Sequence, residues 1–255
     1  MRQRLREARL ITTQHRGVRS DVWTWRHALG LLAVLLLQWL LVLALYAWVQ
    51  EGWRQVLAWA WPQLGLGSST QVSLVRESLW SLNVPIVKVR VDTPTPQVWQ
   101  WWLSATGAVG LLAGSFAISR ERLPLIYLMR TVGGLWLLGM VLHESFTDTS
   151  NLSLAHVLSD LLKVGAVMLW LLPPLHALVL YIFPLPAGLK IAATIAALAF
   201  VALFVPLQVV ALAWVVHQAG NLVLLPLYML ATFLPHVATQ LGIYGYFMSL
   251  ADVTR

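Results

Sequence analysis

Side chains that could perform chemistry are concentrated between residues 143 and 160. His143 and Glu144 are adjacent, and Asp148, His156 and Asp160 follow in the same polar stretch. Imidazoles and carboxylates near a membrane surface could bind a divalent metal or transfer protons as general acids and bases. We therefore take His143, Glu144, His156 and Asp160 as candidate catalytic residues.

The same stretch also fits a hydrated loop that caps two helices. If Ser153 caps the second helix, His156 and Asp160 lie four residues apart on one face and form a surface pair. The thirteen-residue step from His143 to His156 matches no recognised metal-binding spacing. We therefore assign no metal ligand, and the catalytic residues stay open.

A second group of polar residues lies inside apolar runs. These residues are Arg130, His176, Gln208 and His236. Because burying a charge in lipid is costly, such residues are candidates for a substrate or proton pathway. A structural alternative is a neutral histidine bonded to a carbonyl that Pro173 or Pro235 frees. No Asp or Glu lies in the six apolar runs, which argues against ion-coupled transport.

The composition indicates that the elements positioning these residues are embedded in lipid. Of the 255 residues, 59% are apolar and 11% are charged, with a mean hydropathy of +0.73. A soluble domain carries about 25% charged residues, so the composition excludes soluble enzymes, nucleic-acid-binding modules and disordered proteins. The chain has no cysteine, which excludes disulfides and thiolate chemistry.

Six apolar runs predict an all-α polytopic membrane protein with about six transmembrane helices. The runs are 29–49, 98–118, 123–142, 164–183, 191–216 and 222–250. We expect a basic cytoplasmic tail at 1–27, a first transmembrane helix at 28–50, an extracytoplasmic segment at 51–96 and a five-helix bundle at 97–255. The first helix is expected to be an uncleaved anchor, because its apolar run is longer than that of a signal peptide.

The distribution of basic residues predicts the orientation. Seven of the 17 basic residues precede the first apolar run, although the net charge of +7 alone would suggest nucleic-acid binding. Counted over the predicted loops, eleven basic residues lie on the side of the N-terminus and five on the other. By the positive-inside rule, both termini are expected in the cytoplasm.

The extracytoplasmic segment contains two local patterns. The tryptophan-rich stretch 53–61 predicts a short interfacial helix that ends at Pro62, and Val87, Val89 and Val91 alternate with polar residues as in a strand. The stretch 72–75 is a weaker candidate for a partner strand. The pattern fits either a small β-hairpin or an edge strand offered to another protein.

Two further features concern packing and anchoring. Gly107, Gly110 and Gly114 would let a neighbouring helix approach the second apolar run closely, although glycine is also a common filler in such helices. Nine of the fourteen tryptophans cluster around predicted interfaces, where indole rings anchor proteins. A sugar-stacking surface is the alternative interpretation of these tryptophans.

The sequence favours a non-enzymatic accessory or scaffold subunit of a larger envelope complex in the inner membrane. Its expected partners are the lipid bilayer and other membrane or envelope proteins, with no nucleic acid and no cofactor. The alternative is a transporter, or an enzyme within the membrane or at its periplasmic face, that uses the cluster between the third and fourth runs.

Overall fold

A computed structural model describes residues 25–66, 70–79, 82–91, 95–145, 153–181 and 186–253. Within these ranges the chain forms six α-helices, two β-strands and two single-turn 3₁₀ helices. The α-helices are α1 (Trp25–Gln63), α2 (Val98–Ala117), α3 (Leu123–Ser145), α4 (Leu154–Tyr181), α5 (Ala187–Ala219) and α6 (Leu224–Val253), the strands are β1 (Gln71–Leu79) and β2 (Leu82–Arg90), and the 3₁₀ helices are Arg120–Arg122 and Asn221–Val223.

Five of the helical segments are long and apolar enough to cross a membrane. They are Leu32–Gln63, Arg120–Leu142, Leu154–Val179, Ala187–Ala219 and Asn221–Leu250. Helix α2 is uncharged and 20 residues long, but its Gln, Ser, Thr and Gly residues lower its hydropathy. The described residues therefore form an all-α, multi-pass membrane protein with five clearly apolar candidate spans. The sixth span, predicted at α2, stays a prediction.

The first helix is longer than the sequence suggested. The predicted anchor and the predicted short helix at 53–61 are parts of one 39-residue helix, α1. No proline interrupts it before Pro62, and a salt bridge between Glu51 and Arg54, three residues apart, lies at the expected junction. The helix ends at Gln63, and Gly65 follows with a φ of +67° that suits glycine and lets the Leu66 N–H bond to the carbonyl of Trp61.

Prolines lie inside the long helices without ending them. Helix α4 continues through Pro173 and Pro174, and α6 is a single helix that contains Pro235. A proline inside a helix removes one N–H and leaves the carbonyl four residues earlier without its usual partner. A continuous helix therefore needs another donor for that carbonyl, as the contacts below show.

The hairpin prediction is confirmed. Strands β1 and β2 are antiparallel and pair over their full lengths, from Gln71 opposite Arg90 to Leu79 opposite Leu82. The two strands differ in burial, because Ile86, Val87 and Val89 of β2 are buried whereas most of β1 is exposed. The hairpin thus has an inner strand, β2, and an outer strand, β1.

The chain divides into two compact units. The described part of the first comprises 25–47, 167–181, 186–202 and 239–253, in which Ala193 packs with Ile243, Tyr244 and other residues of α6. The second comprises the rest of the described chain and holds the hairpin. Its core includes Trp53 and Leu57 of α1, Leu158 and Leu162 of α4, and Val205 of α5, all at most 2% exposed.

Candidate functional site

The His/Asp pair on α4 is a surface pair in the described part of the chain. Ser153 Oγ accepts a hydrogen bond from the His156 N–H at 3.2 Å, which is the helix cap that the sequence predicted. His156 Nε2 lies 3.2 Å from Asp160 Oδ2, and both side chains are about half exposed. The side chains of His143 and Glu144, and the whole of Asp148, lie outside the described residues. Among the described residues, no group of three metal-ligating side chains is present.

Gln208 and His236 meet in the second unit. Gln208 of α5 donates a hydrogen bond through Nε2 to the carbonyl of Ala231 on α6. That carbonyl is the one that Pro235, four residues later, leaves without a helical donor. His236 Nε2 lies 3.2 Å from Gln208 Oε1, and both side chains are buried. Gln208 therefore joins α5 to α6 at the proline, while His236 holds the amide in place.

An apolar groove of about 360 Å³ adjoins this pair. Of its nine lining residues, only Gln208 is polar; the others are Phe204, Leu207, Ala211, Leu212, Val215, Leu227, Ala231 and Pro235. Because the amide of Gln208 is already bonded to Ala231 and His236, the groove offers little recognition for a polar or charged substrate. This geometry favours the structural interpretation of Gln208 and His236.

Replacing Gln208 by leucine is expected to destabilise the second unit by about 1–2 kcal/mol. The substitution leaves the Ala231 carbonyl without its donor and removes the bond to His236. SDS titration of the full chain in detergent measures the free energy of unfolding. Gln218→Leu is the control, because that side chain is exposed. Equal stability of the Gln208 variant and the wild type would contradict the structural role.

The two other intramembrane candidates have different partners. His176 Nε2 lies 3.3 Å from Gln240 Oε1, within the first unit. Arg130 Nε donates to Ser115 Oγ at 3.2 Å, and its guanidinium carbon lies 4.6 Å from the centre of the Phe116 ring. Each of these two residues therefore has a partner within its own unit.

Trp39 is a second side chain that bonds to a carbonyl left without a helical donor by a proline. This role of Trp39 was not predicted from the sequence. Its indole N–H donates to the carbonyl of Trp170 at 3.1 Å, within the first unit. That carbonyl lies four residues before Pro174, so it has no helical donor. The sequence signal was the proline itself, but its partner lies 131 residues away along the chain.

The glycines of α2 lie on more than one face. A Cβ at Gly107 would lie 2.9 Å from the Trp136 ring, and one at Gly114 would lie 3.2 Å from Met129 Cε, both on α3. A Cβ at Gly110 would meet no atom within 4 Å. The close helix approach expected at these glycines is therefore made, at Gly107 and Gly114, by α3 of the same chain.

Two polar side chains fasten β2 to the helices. Gln50 of α1 is fully buried, and its Oε1 accepts the Val87 N–H at 3.2 Å. Ser159 of α4 accepts the Val89 N–H and donates to the Val89 carbonyl, both at 3.2 Å. Main-chain groups of β2 are thus held by side chains that lie 37 and 70 residues away in sequence. Neither Gln50 nor Ser159 was predicted from the sequence.

An ion-pair network also joins the hairpin to α4. Glu77 of β1 binds Lys88 of β2 and lies 3.2 Å from Lys163 of α4. The hydrogen bond from Lys88 is the main cause that lowers the pKa of the Glu77 carboxyl below its ordinary 4.5; partial burial opposes it, and Lys163 lowers it further. The hairpin is therefore a fixed part of the second unit.

The stability of the attached hairpin should fall in acid. Because the pKa of Glu77 is lower in the folded state, its charge stabilises the fold above pH about 4.5. This contribution is lost as the pH falls below the pKa that the Glu77 carboxyl has in the folded protein. Thermal unfolding in detergent between about pH 3 and pH 6 measures the effect, and Glu77→Gln should flatten the profile whereas Glu121→Gln, at an exposed position, should not. An unchanged profile in Glu77→Gln would refute this assignment.

The helices and the hairpin thus define a multi-pass membrane protein that holds a small β-hairpin rigidly on its second unit. In comparisons with protein-family models, curated proteins and solved structures, nothing matches the chain.

Proposed function

We propose that this protein is a non-enzymatic scaffold subunit of a larger envelope complex, resident in the inner membrane. The hairpin is its partner-binding element, both termini lie in the cytoplasm, and α2 is the sixth span. The observation that carries the proposal is the attachment of β2 by Gln50 and Ser159. An isolated two-stranded hairpin is marginal in water, and this one is held by side chains from two helices, of which Gln50 is fully buried and Ser159 is partly buried.

The length of α1 supports this role. A helix of 39 residues is about 58 Å long, against about 30 Å for the hydrocarbon core. Part of α1 can therefore extend beyond the core and carry the hairpin. Gln50, which binds the Val87 N–H of β2, lies in the C-terminal part of α1.

The polar residues support a non-enzymatic role in a different way. His176, Gln208 and His236 contact amide groups, and Arg130 contacts a serine and a phenyl ring. Acid–base catalysis or ion coupling needs titratable groups that face a common substrate. These contacts stabilise helix packing instead.

The experiment is purification of the tagged full chain from its native membranes in mild detergent. We expect stable partners to co-purify with the wild type. The double variant Gln50→Leu/Ser159→Ala should retain about tenfold less bound partner, because three main-chain groups of β2, the Val87 N–H and both groups of Val89, lose their hydrogen-bond partners. Gln55→Leu/Ser119→Ala is the matched control, since both of its side chains are exposed.

Two controls make the result decisive. Membrane abundance and thermal unfolding show whether the double variant is folded before its partners are counted. Retention of all partners by a folded double variant would refute the role of the hairpin. A wild type that purifies as a single partner-free species would refute the scaffold proposal. If activity in cells then depends on His143 and His156, the enzyme or transporter interpretation replaces it.

A further inference from the structure

The pairing register of β1 and β2 shows which main-chain groups of each strand point away from the other strand. In an antiparallel pair, alternate residues direct their N–H and C=O groups towards the partner strand or away from it. Val87 and Val89 bond to Gln50 and Ser159, so their groups point away from β1. Their register partners on β1 are Leu74 and Val72. The N–H and C=O groups of Val72, Leu74, Arg76 and Ser78 therefore point away from β2, along the outer edge.

The edge of β2 is closed to further strands. Pro85 has no N–H to donate, and it is the residue of the same alternating set that precedes Val87. The N–H of Val87 is bonded to Gln50, and both main-chain groups of Val89 are bonded to Ser159. Proline and side-chain bonds together prevent strand addition at this edge.

The edge of β1 has no such protection in the described part of the chain. No described residue forms a hydrogen bond with the outward groups of Val72, Leu74, Arg76 and Ser78. The strand is nine residues long, contains no proline and pairs with β2 without a bulge. Leu74 and Val75 are 38% and 37% exposed. A long, regular strand edge of this kind is a template for another strand.

The hairpin and its surroundings carry a surplus of basic side chains, which selects the partner. Arg76 on β1, Lys88 and Arg90 on β2, and Lys163 beside the hairpin are basic, and Glu77 is the one acid among the described residues that contacts this group. Glu77 is already bound by Lys88 and Lys163. The surplus of positive charge favours an acidic segment and opposes pairing with a second copy of the same edge, which would carry the same charge.

We infer that β1 binds an extended, acidic segment of a partner protein, which joins the hairpin as a third strand along the outer edge of Val72, Leu74, Arg76 and Ser78. This inference rests on the proposed scaffold function and specifies its contact. Main-chain hydrogen bonds supply the affinity, and the basic side chains select acidic partners. The exposed Leu74 contacts the apolar side chains that alternate with the acids, since Val75 faces the other side of the sheet.

The test uses the full chain in lipid nanodiscs and synthetic nine-residue peptides that match the length of β1. The probe alternates valine and glutamate; one control alternates valine and lysine, and another is the glutamate peptide methylated at every peptide nitrogen. We expect fluorescence anisotropy to show binding of the glutamate peptide alone. Each control should bind at least about tenfold more weakly, since one has the wrong charge and the other has no N–H donors. Equal binding of the methylated peptide would show charge attraction without strand addition and overturn the inference.

A pair of variants tests the edge from the protein side. Leu74→Pro removes an outward N–H without removing a β1–β2 hydrogen bond, and Leu74→Ala removes the same side chain while keeping the N–H. We expect the proline variant to bind the glutamate peptide about tenfold more weakly than the alanine variant. Equal binding by the two variants would contradict the inference. Thermal unfolding shows whether the hairpin variants remain folded.

Hydrogen exchange separates the remaining outcomes. The amides of Leu74 and Arg76 should exchange rapidly in the free protein and become protected when the glutamate peptide is bound. Protection in the free protein, or protection that grows with protein concentration, would mean that the chain or a second copy already covers the edge, and would overturn the inference. If the peptides fail to bind but native partners are still lost in Gln50→Leu/Ser159→Ala, the scaffold function stands and the strand-addition inference falls.

Discussion

Replacing Trp53 by alanine is expected to lower the free energy of unfolding by about 3–5 kcal/mol, as for other buried tryptophans. The indole is 2% exposed and lies against Gly165 of α4, where a Cβ would come within 3.1 Å of its ring. The same Cβ would lie 2.8 Å from Val205 of α5. The indole therefore fills the space where α1, α4 and α5 meet, and its loss leaves a cavity that close-packed helices cannot fill.

Trp59 is the matched control for this prediction. It lies on the same helix but is 71% exposed, so Trp59→Ala should change stability by no more than about 0.5 kcal/mol. SDS titration of both variants in detergent, followed by circular dichroism, gives the comparison. Similar losses in the two variants would mean that Trp53 acts as an interfacial anchor, which is how the sequence alone interprets both residues.

Replacing Gly220 by alanine is expected to cost about 2–4 kcal/mol. Its φ of +87° is unfavourable for any residue with a Cβ. The added Cβ would also lie 2.8 Å from Oε1 of Gln100. That amide accepts the Gln97 N–H at 2.8 Å and donates to the Gln218 carbonyl at 3.3 Å, so displacing it costs hydrogen bonds as well as strain.

Gly65 separates these two contributions. Its φ is +67°, but an added Cβ would meet no atom within 4 Å. Gly65→Ala should therefore cost only the backbone strain, about 1–2 kcal/mol. Thermal and SDS unfolding of both variants provides the measurement. If Gly220→Ala is no more destabilising than Gly65→Ala, the contact between Gln100 and the turn before α6 contributes nothing to stability.

Local sequence patterns predicted much of the fold because they report on local physics. Runs of leucine and alanine identify apolar helices, and the alternation at Val87, Val89 and Val91 identified β2. The cap at Ser153 was also predicted, since a serine side chain bonds to an N–H only a few residues away. Each of these features depends on residues that are neighbours in the chain.

Contacts between distant residues were not predictable in the same way. The continuity of α4 depends in part on Trp39, which bonds to the carbonyl freed by Pro174. The attachment of β2 depends on Gln50 and Ser159, two residues whose types carry no specific signal. Trp53 is buried whereas Trp59 on the same helix is exposed, and this difference depends on which face of α1 meets other helices. These contacts follow from tertiary packing, which local sequence patterns do not reveal.

The candidate partner-binding strand also differs between sequence and structure. The sequence assigned possible chemistry to histidines and acids, and it offered the stretch 85–91 as a strand for a partner sheet. The structure places that stretch in the inner strand, with its free edge closed by Pro85, Gln50 and Ser159. The exposed edge belongs to β1, which the sequence treated as the weaker strand. The pairing register identifies the outward main-chain groups of β1.

The most direct test of the scaffold proposal is the mass of the complex that the full chain forms in native membranes. The tagged wild type and Gln50→Leu/Ser159→Ala, both extracted in mild detergent, should be compared by native mass determination at equal abundance. The scaffold proposal predicts a high-mass complex for the wild type and a shift to the mass of the single chain in the folded double variant. A wild type found only as a single chain, or a folded double variant in an unchanged complex, would contradict it.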